Sequence, residues 1–415
     1  MRRHFLAFGF AVFTALPGFA VNLDAAQAAY DRADFPKAML LFRGEAERGD
    51  ARAQYLLGAL FESGKAMPRN DEQAAFWYER SADQDQSEAM LALARMHASG
   101  NGVPRDASQA VAWLKQAAAL GDAKGAYELS RCYEEGRGVP RDDTEAFRWL
   151  LQAALAGLEE AQLGMGRMLE AGIGTARNDA QAMAWYRKAS LQGSVQARAR
   201  IGMLYQYGRG VEQDSERAIR WYRRAAADGD LIAAQQLAGL LLTGSTEVGA
   251  RREALAWYRF AAEAGSATAM RELGLAYENG ATGKPDPLAA RAWYESAAAV
   301  GDPIACIRLA GVYLEGRGVA RSYHRALQLY RQAALQENSD ALNELGRMYA
   351  QGQGVTRDYA NAYVLADIAA TLGSAAAAAD RDGYAEKLSE EQLRLARMAA
   401  GAWKPGAPLP VLAPV

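Results

Sequence analysis

An all-α solenoid of stacked helical hairpins is the fold this sequence predicts, and three observations predict it. Glycine recurs every 36 residues, at Gly64, Gly100, Gly136, Gly172, Gly208, Gly244, Gly280, Gly316 and Gly352. Tryptophan keeps the same period from Trp77 to Trp293, with Leu329 and Leu365 completing the column, so seven of the eight tryptophans share one slot. Each 36-residue unit also holds two stretches with apolar residues at helical spacing, and neither stretch can bury its stripe alone. Such a period, kept over nine units without insertion or deletion, is the mark of a repeat array. At 415 residues, one ordinary core would in any case be unusual.

The first 20 residues stand apart. Arg2 and Arg3 precede an apolar run from Phe5 to Leu16, and Gly18-Phe19-Ala20 places small residues where a signal peptidase reads. Residues 1–20 are therefore expected to be a signal peptide. No cysteine lies near the cut, so no lipid anchor is expected. No later run reaches 18 apolar residues, so no transmembrane anchor is expected after cleavage. Loss of Arg2 and Arg3 from a chain of formal charge −2 leaves −4, a balance that points away from nucleic acid and from membrane surfaces.

Residues 21–48 read as an N-terminal capping helical hairpin of tetratricopeptide type with a shorter loop. Residues 49–372 hold the nine units, and the one from Gly121 to Ala156 is representative. Its first half places Leu129, Cys132 and Tyr133 at helical spacing. Ser130 sits in a column that is always glycine, alanine or serine, which lets a neighbouring helix come close. Its second half puts Ala146, Trp149, Leu150, Ala153 and Ala154 on one face. Residues 373–403 drop the Gly-x-Gly turn and read as C-terminal capping helices, opened by a Ser389/Gln392 capping box. The tail 404–415, with Pro405, Pro408, Pro410 and Pro414, is expected to be extended and mobile.

The stretch from Ala197 to Gly229, "ARARIGMLYQYGRGVEQDSERAIRWYRRAAADG", resembles the Sel1-like repeat family, a relative of the tetratricopeptide repeat. The resemblance covers Gly49 to about Leu372. It implies a right-handed α/α superhelical solenoid of nine 36-residue repeats with helical caps at both ends. It further implies protein binding, and members with signal peptides often act at the bacterial cell envelope.

The chemistry-bearing residues argue against an enzyme. The loop "EEGRGVPRDD" looks like a phosphate cradle, but such a loop follows a strand, and here a helix precedes it. Gly136 falls where a helix ends in a left-handed residue, and Asp142 with Glu145 forms a capping arrangement. The same box is expected at Asn70/Gln73, Asp106/Gln109 and Asn178/Gln181. Cys132 and Cys306 lie five stacking steps apart, tens of Å at ~8–10 Å per step, so they are expected to be buried free thiols. His97 occupies a tyrosine slot and reads as packing, His324 has no acidic cluster around it, and the tryptophans read as core rather than as sugar platforms. No cofactor, metal site or catalytic residue is expected.

Partner binding is expected on the first helices. Their variable face falls 3, 7, 10 and 14 residues after the position equivalent to Gly49. Arg95, Arg131 and Arg167 share one offset in three consecutive units and would form a short basic stripe, unless Glu128 and Glu135 merely pair with Arg131. Met203, Tyr207, Ile232 and Leu275 place apolar groups where most units are polar, beside irregular turns in the sixth and seventh units. The expected function is a periplasmic or secreted scaffold that organises envelope proteins. Direct binding of an anionic polysaccharide or peptidoglycan is the alternative, and a hydrolase hidden in the groove is the third reading.

Overall fold

Each 36-residue unit folds into two helices because its cap residues and glycines fall at fixed places. The computed structural model describes residues 20–281 and 283–410, so the expected signal peptide, all but its last residue, and the last five residues lie outside the described residues. Among the described residues there are 22 helices and no strand. The first pair is α1 (Ala20–Asp31) and α2 (Phe35–Glu47). Nine hairpins follow: α3 and α4 (Ala51–Ser63, Asp71–Ala82), α5 and α6 (Ser87–Ser99, Ala107–Ala119), α7 and α8 (Ala123–Glu135, Asp143–Leu155), α9 and α10 (Glu159–Ala171, Asp179–Leu191), α11 and α12 (Val195–Tyr207, Ser215–Ala227), α13 and α14 (Leu231–Gly244, Val248–Glu263), α15 and α16 (Ala267–Glu278, Pro287–Ala299), α17 and α18 (Pro303–Glu315, Tyr323–Ala334), and α19 and α20 (Ser339–Gln351, Tyr359–Thr371). The chain closes with α21 (Ala375–Ala385) and α22 (Glu390–Ala402).

The chain divides into two compact units. One comprises the described part of 1–197 with 208–212, and the other comprises 198–207 with the described part of 213–415. Within each, helices pack against their hairpin partner and against the next hairpin in sequence, as in α3 with α4 and α4 with α5, or α15 with α16 and α16 with α17. This nearest-neighbour packing is that of a solenoid.

Where a repeat keeps the Gly-x-Gly pair, the turn inside its hairpin is sealed at both glycines and at the cap. Gly136 ends α7 in a left-handed conformation, and its N–H bonds the Cys132 carbonyl. Gly138 has a different duty. Its φ is +72°, and a Cβ built there would lie 2.1 Å from the Ala107 carbonyl oxygen at the start of α6. Gly174 meets Asp143 of α8 in the same way at 2.0 Å. Where it is present, the second glycine thus seats the turn directly on the preceding second helix, so it maintains the contact between repeats. Val139 beside it is half-buried.

The capping boxes expected inside the repeats form by half. The side chains of Asn70, Asp106, Asp142 and Asn178 do accept from the N–H groups of Gln73, Gln109, Glu145 and Gln181. The returning arm is absent there because the cap N–H already has a partner. Asn70 donates to Phe61, Asp106 to His97, Asp142 to Tyr133 and Asn178 to Leu169, all at 2.8–3.0 Å. Asp214, Asp286, Ser322 and Asp358 repeat the pattern with Tyr205, Tyr277, Tyr313 and Tyr349. Glu145 instead accepts from Trp149 Nε1 at 3.1 Å. The full two-way box exists at Ser389/Gln392, where no hairpin turn precedes the helix. The sixth repeat departs from the rule: α14 starts at Val248, and Ala250, the equivalent of those caps, lies inside the helix.

The core is built on tyrosine more than on tryptophan. Trp77 is buried, but Trp113, Trp149, Trp185, Trp221, Trp257 and Trp293 are half-buried. The next residue along points inward: Tyr78, Tyr186, Tyr222 and Tyr294 are among the largest fully buried side chains. Each lies on a glycine of the small-residue column, where a Cβ would come within 2.3–2.8 Å of the ring, at Gly58, Gly166, Gly202 and Gly274. Half-buried tryptophan rings carry cations over them, with Lys188 3.9 Å from the Trp185 ring centroid and Arg148 5.1 Å from that of Trp149. Both cysteines are buried free thiols. At the C-terminal end, Trp403 Nε1 donates to the Ala407 carbonyl, Gly406 N–H donates to Glu337, and Leu409 packs on the core of the last hairpins.

Candidate functional site

First helices offer side chains to a partner wherever packing leaves a column open, and the three arginines share such a column. The structure places Arg95 on α5, Arg131 on α7 and Arg167 on α9, and each is engaged. Arg95 reaches both Glu62 carboxylate oxygens at 2.7 Å. Arg131 pairs with Glu135 at 3.2 Å and with Glu128 at 3.9 Å. Arg167 donates to Gln196 Oε1 at 2.7 Å. Arg95 and Arg131 are therefore matched by carboxylates and Arg167 by a neutral amide, and Arg95 lines a cleft.

That cleft, of about 780 Å³, lies in the first compact unit. It is lined by the middle and end of α3, by Tyr78 of α4, by the start and middle of α5, by the first residues of α7 with its cap Asp122, and by the loop from α8 to α9. Its polar groups are Tyr55, Glu62, Tyr78, Glu88, Arg95, Asp122 and Lys124, and Ala59, Leu91, Ala92 and Leu158 supply apolar surface. Tyr78 donates to Glu62 at 2.8 Å, which joins Glu62, Arg95 and Tyr78 in one network. Asp122 caps α7 by accepting from Gly125 N–H at 2.7 Å, and it also accepts from Ser87 Oγ at 2.9 Å. The Tyr55 and Tyr78 rings sit 5.7 Å apart, tilted by 35°. Burial pushes the Tyr55 phenol upward, and the Glu88 carboxylate adds to the shift. Burial, then the bond to Glu62, does the same for Tyr78.

Of the four apolar residues singled out in the sequence, the structure brings together fewer than the pattern implies. Met203 and Leu275 occupy the arginine column in the second compact unit, and both are half-buried. Leu275 lines a smaller cleft of about 310 Å³ with Leu242, Arg251, Tyr258 and Glu272. Tyr207 is exposed at the end of α11, whereas Ile232 is exposed at the start of α13. At ~1.5 Å rise per residue, those two positions lie about 16 Å apart along parallel first helices, so they do not form one patch. Ile232 belongs instead to the edge made by loops between repeats.

Glu88 and Lys124 were within reach of the sequence. Both lie three residues after the Gly49-equivalent position, in the variable column that also holds Ile232. Tyr55 falls outside the variable offsets, and only the structure brings it to Glu88. Among the described residues, no group of three or more His, Cys, Asp or Glu side chains is placed to hold a metal ion. No described helix is long and apolar enough to cross a membrane.

Comparison with known proteins agrees with this architecture. A family model described as Sel1 repeat matches nine times, at residues 51–86, 87–122, 123–158, 159–194, 195–230, 232–266, 267–302, 303–338 and 339–374. The crystal structure of a protective antigen present in uropathogenic Escherichia coli strains, displaying an SLR fold, is 30% identical with a TM-score of 0.56. It covers 92% of this chain and 90% of that one. A Sel1 repeat protein from Oxalobacter formigenes is 32% identical over 59% of this chain and 96% of that chain, with a TM-score of 0.48. No curated protein matches the sequence.

Proposed function

Because the chain belongs to the Sel1 repeat family, whose members are generally protein-binding scaffolds, we propose that it is an exported scaffold organising partner proteins at the bacterial cell envelope. The family's solenoids are typically non-catalytic. The observation that carries the reading is the unbroken run of nine repeats whose first helices leave a cleft with aromatic, apolar and charged walls, the mixture that protein interfaces use. The basic start and apolar run of residues 1–20 support export, and so does the likeness to a protective antigen. An anionic polysaccharide is the weaker occupant, since Glu62 and the Glu128/Glu135 pair offset Arg95 and Arg131.

Two measurements test the reading. Cell fractionation with mass spectrometry of the mature N-terminus is expected to find the chain in the periplasm or medium, cut after Ala20. A cytoplasmic chain that retains residues 1–20 would overturn export. A photo-crosslinking residue at Arg95 is expected to trap a discrete protein in cells, and the same residue at Tyr207 asks whether the second compact unit has its own contact. Retention on isolated cell wall, with no protein crosslinked from either position, would overturn the scaffold reading in favour of direct glycan binding.

A further inference from the structure

We propose that the cleft between α3, α5 and α7 receives an arginine or lysine side chain of a partner protein, stacked on Tyr55 and charge-paired with Glu88. This rests on the scaffold reading above and names the chemistry of its partner. The cleft wall holds three carboxylates, Glu62, Glu88 and Asp122, and two cations, Arg95 and Lys124. Glu62 is already matched by Arg95. Asp122 is held by Gly125 N–H and Ser87. Glu88 accepts from the neutral Gln86 amide at 2.5 Å, and among the described residues no cation pairs with it. Lys124 lines the cleft with no carboxylate partner among the described residues and offsets part of this field. The balance left for a visitor is one negative charge.

The rings supply the other half of the site. The Tyr78 hydroxyl is committed to Glu62, while the Tyr55 hydroxyl makes no hydrogen bond among the described residues. Nor, among the described residues, does any cation lie over either ring. The same chain stacks cations on its aromatics elsewhere. Lys65 lies 5.3 Å from the Phe35 ring centroid and 5.7 Å from that of Tyr30, and Lys115 lies 5.6 Å from that of Tyr133. A guanidinium or ammonium over an aromatic face, with a carboxylate at its edge, gains from both the ring quadrupole and the charge pair. A volume of about 780 Å³ holds such a side chain with flanking backbone, and Leu91 and Leu158 are placed to cover its methylene stem.

The test uses the full chain with ¹³C-labelled tyrosine rings, titrated with the blocked tripeptides Ac-Gly-Arg-Gly-NH2 and Ac-Gly-Glu-Gly-NH2. The Tyr55 signal is the one lost in Tyr55→Phe. It is expected to shift saturably with the arginine peptide and not with the glutamate peptide. Glu88→Gln should weaken the arginine peptide by about two- to fivefold, and Lys124→Gln should strengthen it by a similar factor. Unchanged signals from Tyr222 and Tyr294 certify that the variants are folded. A Tyr55 signal that ignores arginine, answers both peptides alike, or is indifferent to Glu88→Gln overturns the proposal. If the peptide fails while crosslinks from Arg95 still form in cells, the cation site falls and the scaffold reading stands. If the peptide binds while the chain is retained on isolated cell wall and no crosslink forms from Arg95 or Tyr207, the cation site stands and the scaffold reading falls.

Discussion

Alanine placed at each glycine of one Gly-x-Gly turn separates two physical demands. At Gly136 the new Cβ would meet nothing nearer than Arg141 N at 3.5 Å. The only strain is the left-handed backbone, about 1–2 kcal/mol. At Gly138 the backbone strain is similar, since φ is +72° against +70°. The new Cβ would also lie 2.1 Å from the Ala107 carbonyl oxygen and 2.5 Å from its carbon. Contacts under 3.0 Å do not persist, so the turn and α6 must part by roughly 1 Å, which adds about 1–3 kcal/mol of overpacking. Gly138→Ala is therefore expected to cost about 2–5 kcal/mol and Gly136→Ala about 1–2 kcal/mol. Hydrogen exchange at the amides of α6 and α7 reads this locally, which suits an array whose contacts run between neighbours. The effect of Gly138→Ala should extend into α6, one repeat upstream, while that of Gly136→Ala stays in its own hairpin. Equal costs, or an undisturbed α6 in Gly138→Ala, would refute the assignment of the second glycine to contact between repeats.

Three further outcomes follow from the core. Gly166→Ala puts a methyl 2.3 Å from the Tyr186 ring, so about 1–3 kcal/mol should be lost. Adding Tyr186→Leu should recover part of that in a double-mutant cycle by urea unfolding, because the same slots pair Ala94 with Leu114 and Ser130 with Leu150; strict additivity would count against size matching. Burial, then Glu272, pushes the Tyr258 phenol up to about 12, so the folded form holds its proton after the unfolded form has lost it near pH 10. The share of stability that Tyr258 contributes should be level below pH 10 and fall as pH rises from 10 to 12, by about 1.4 kcal/mol per pH unit, and Tyr258→Phe should make the loss of stability across that window shallower by that share, the other buried tyrosines keeping theirs. Burial also pushes the Cys306 thiol up to about 11 and raises that of Cys132, so a thiol reagent at pH 8 should leave both untouched in the native chain and label both in denaturant.

The helical hairpins were legible because packing between repeats imposes the same demand nine times, and a demand repeated at constant spacing survives in one sequence. Gly64 and its equivalents, the small column from Gly58 to Gly346 and the alanines beside the tryptophans all report it. What the residues hid was direction and long-range pairing. Trp185 and Tyr186 are neighbours near one apolar stripe, and period alone does not tell which ring goes under Gly166 and which lies under Lys188. The half-formed boxes were hidden for a different reason: the Asp142 N–H is claimed by Tyr133, nine residues back, which a four-residue motif does not contain. The cleft was least visible of all. Tyr55, Glu88 and Lys124 come from three successive repeats and two different helical offsets, so their meeting depends on how α3, α5 and α7 stack. The arginine column was readable, but the bonds of Arg95 to Glu62 and of Arg167 to Gln196 cross from one repeat to the next.

The bond from each second-helix cap back to a carbonyl of the first helix fixes how many residues can lie between them. A turn held at both ends cannot absorb an extra residue or lose one without breaking a bond and unseating the glycine that rests on the previous hairpin. Such an array can lengthen or shorten by whole repeats, but it resists change in single residues, so its gene should tolerate duplication better than small insertion. The sixth repeat shows the exception. There α14 begins three residues before the position where α12 begins in its own repeat, and the turn has shrunk to 245–247 while the 36-residue spacing is kept. Without the seal, residues have passed from loop to helix. This is the point in the array where an inserted tag, a protease site or an inherited length change should be borne with least harm.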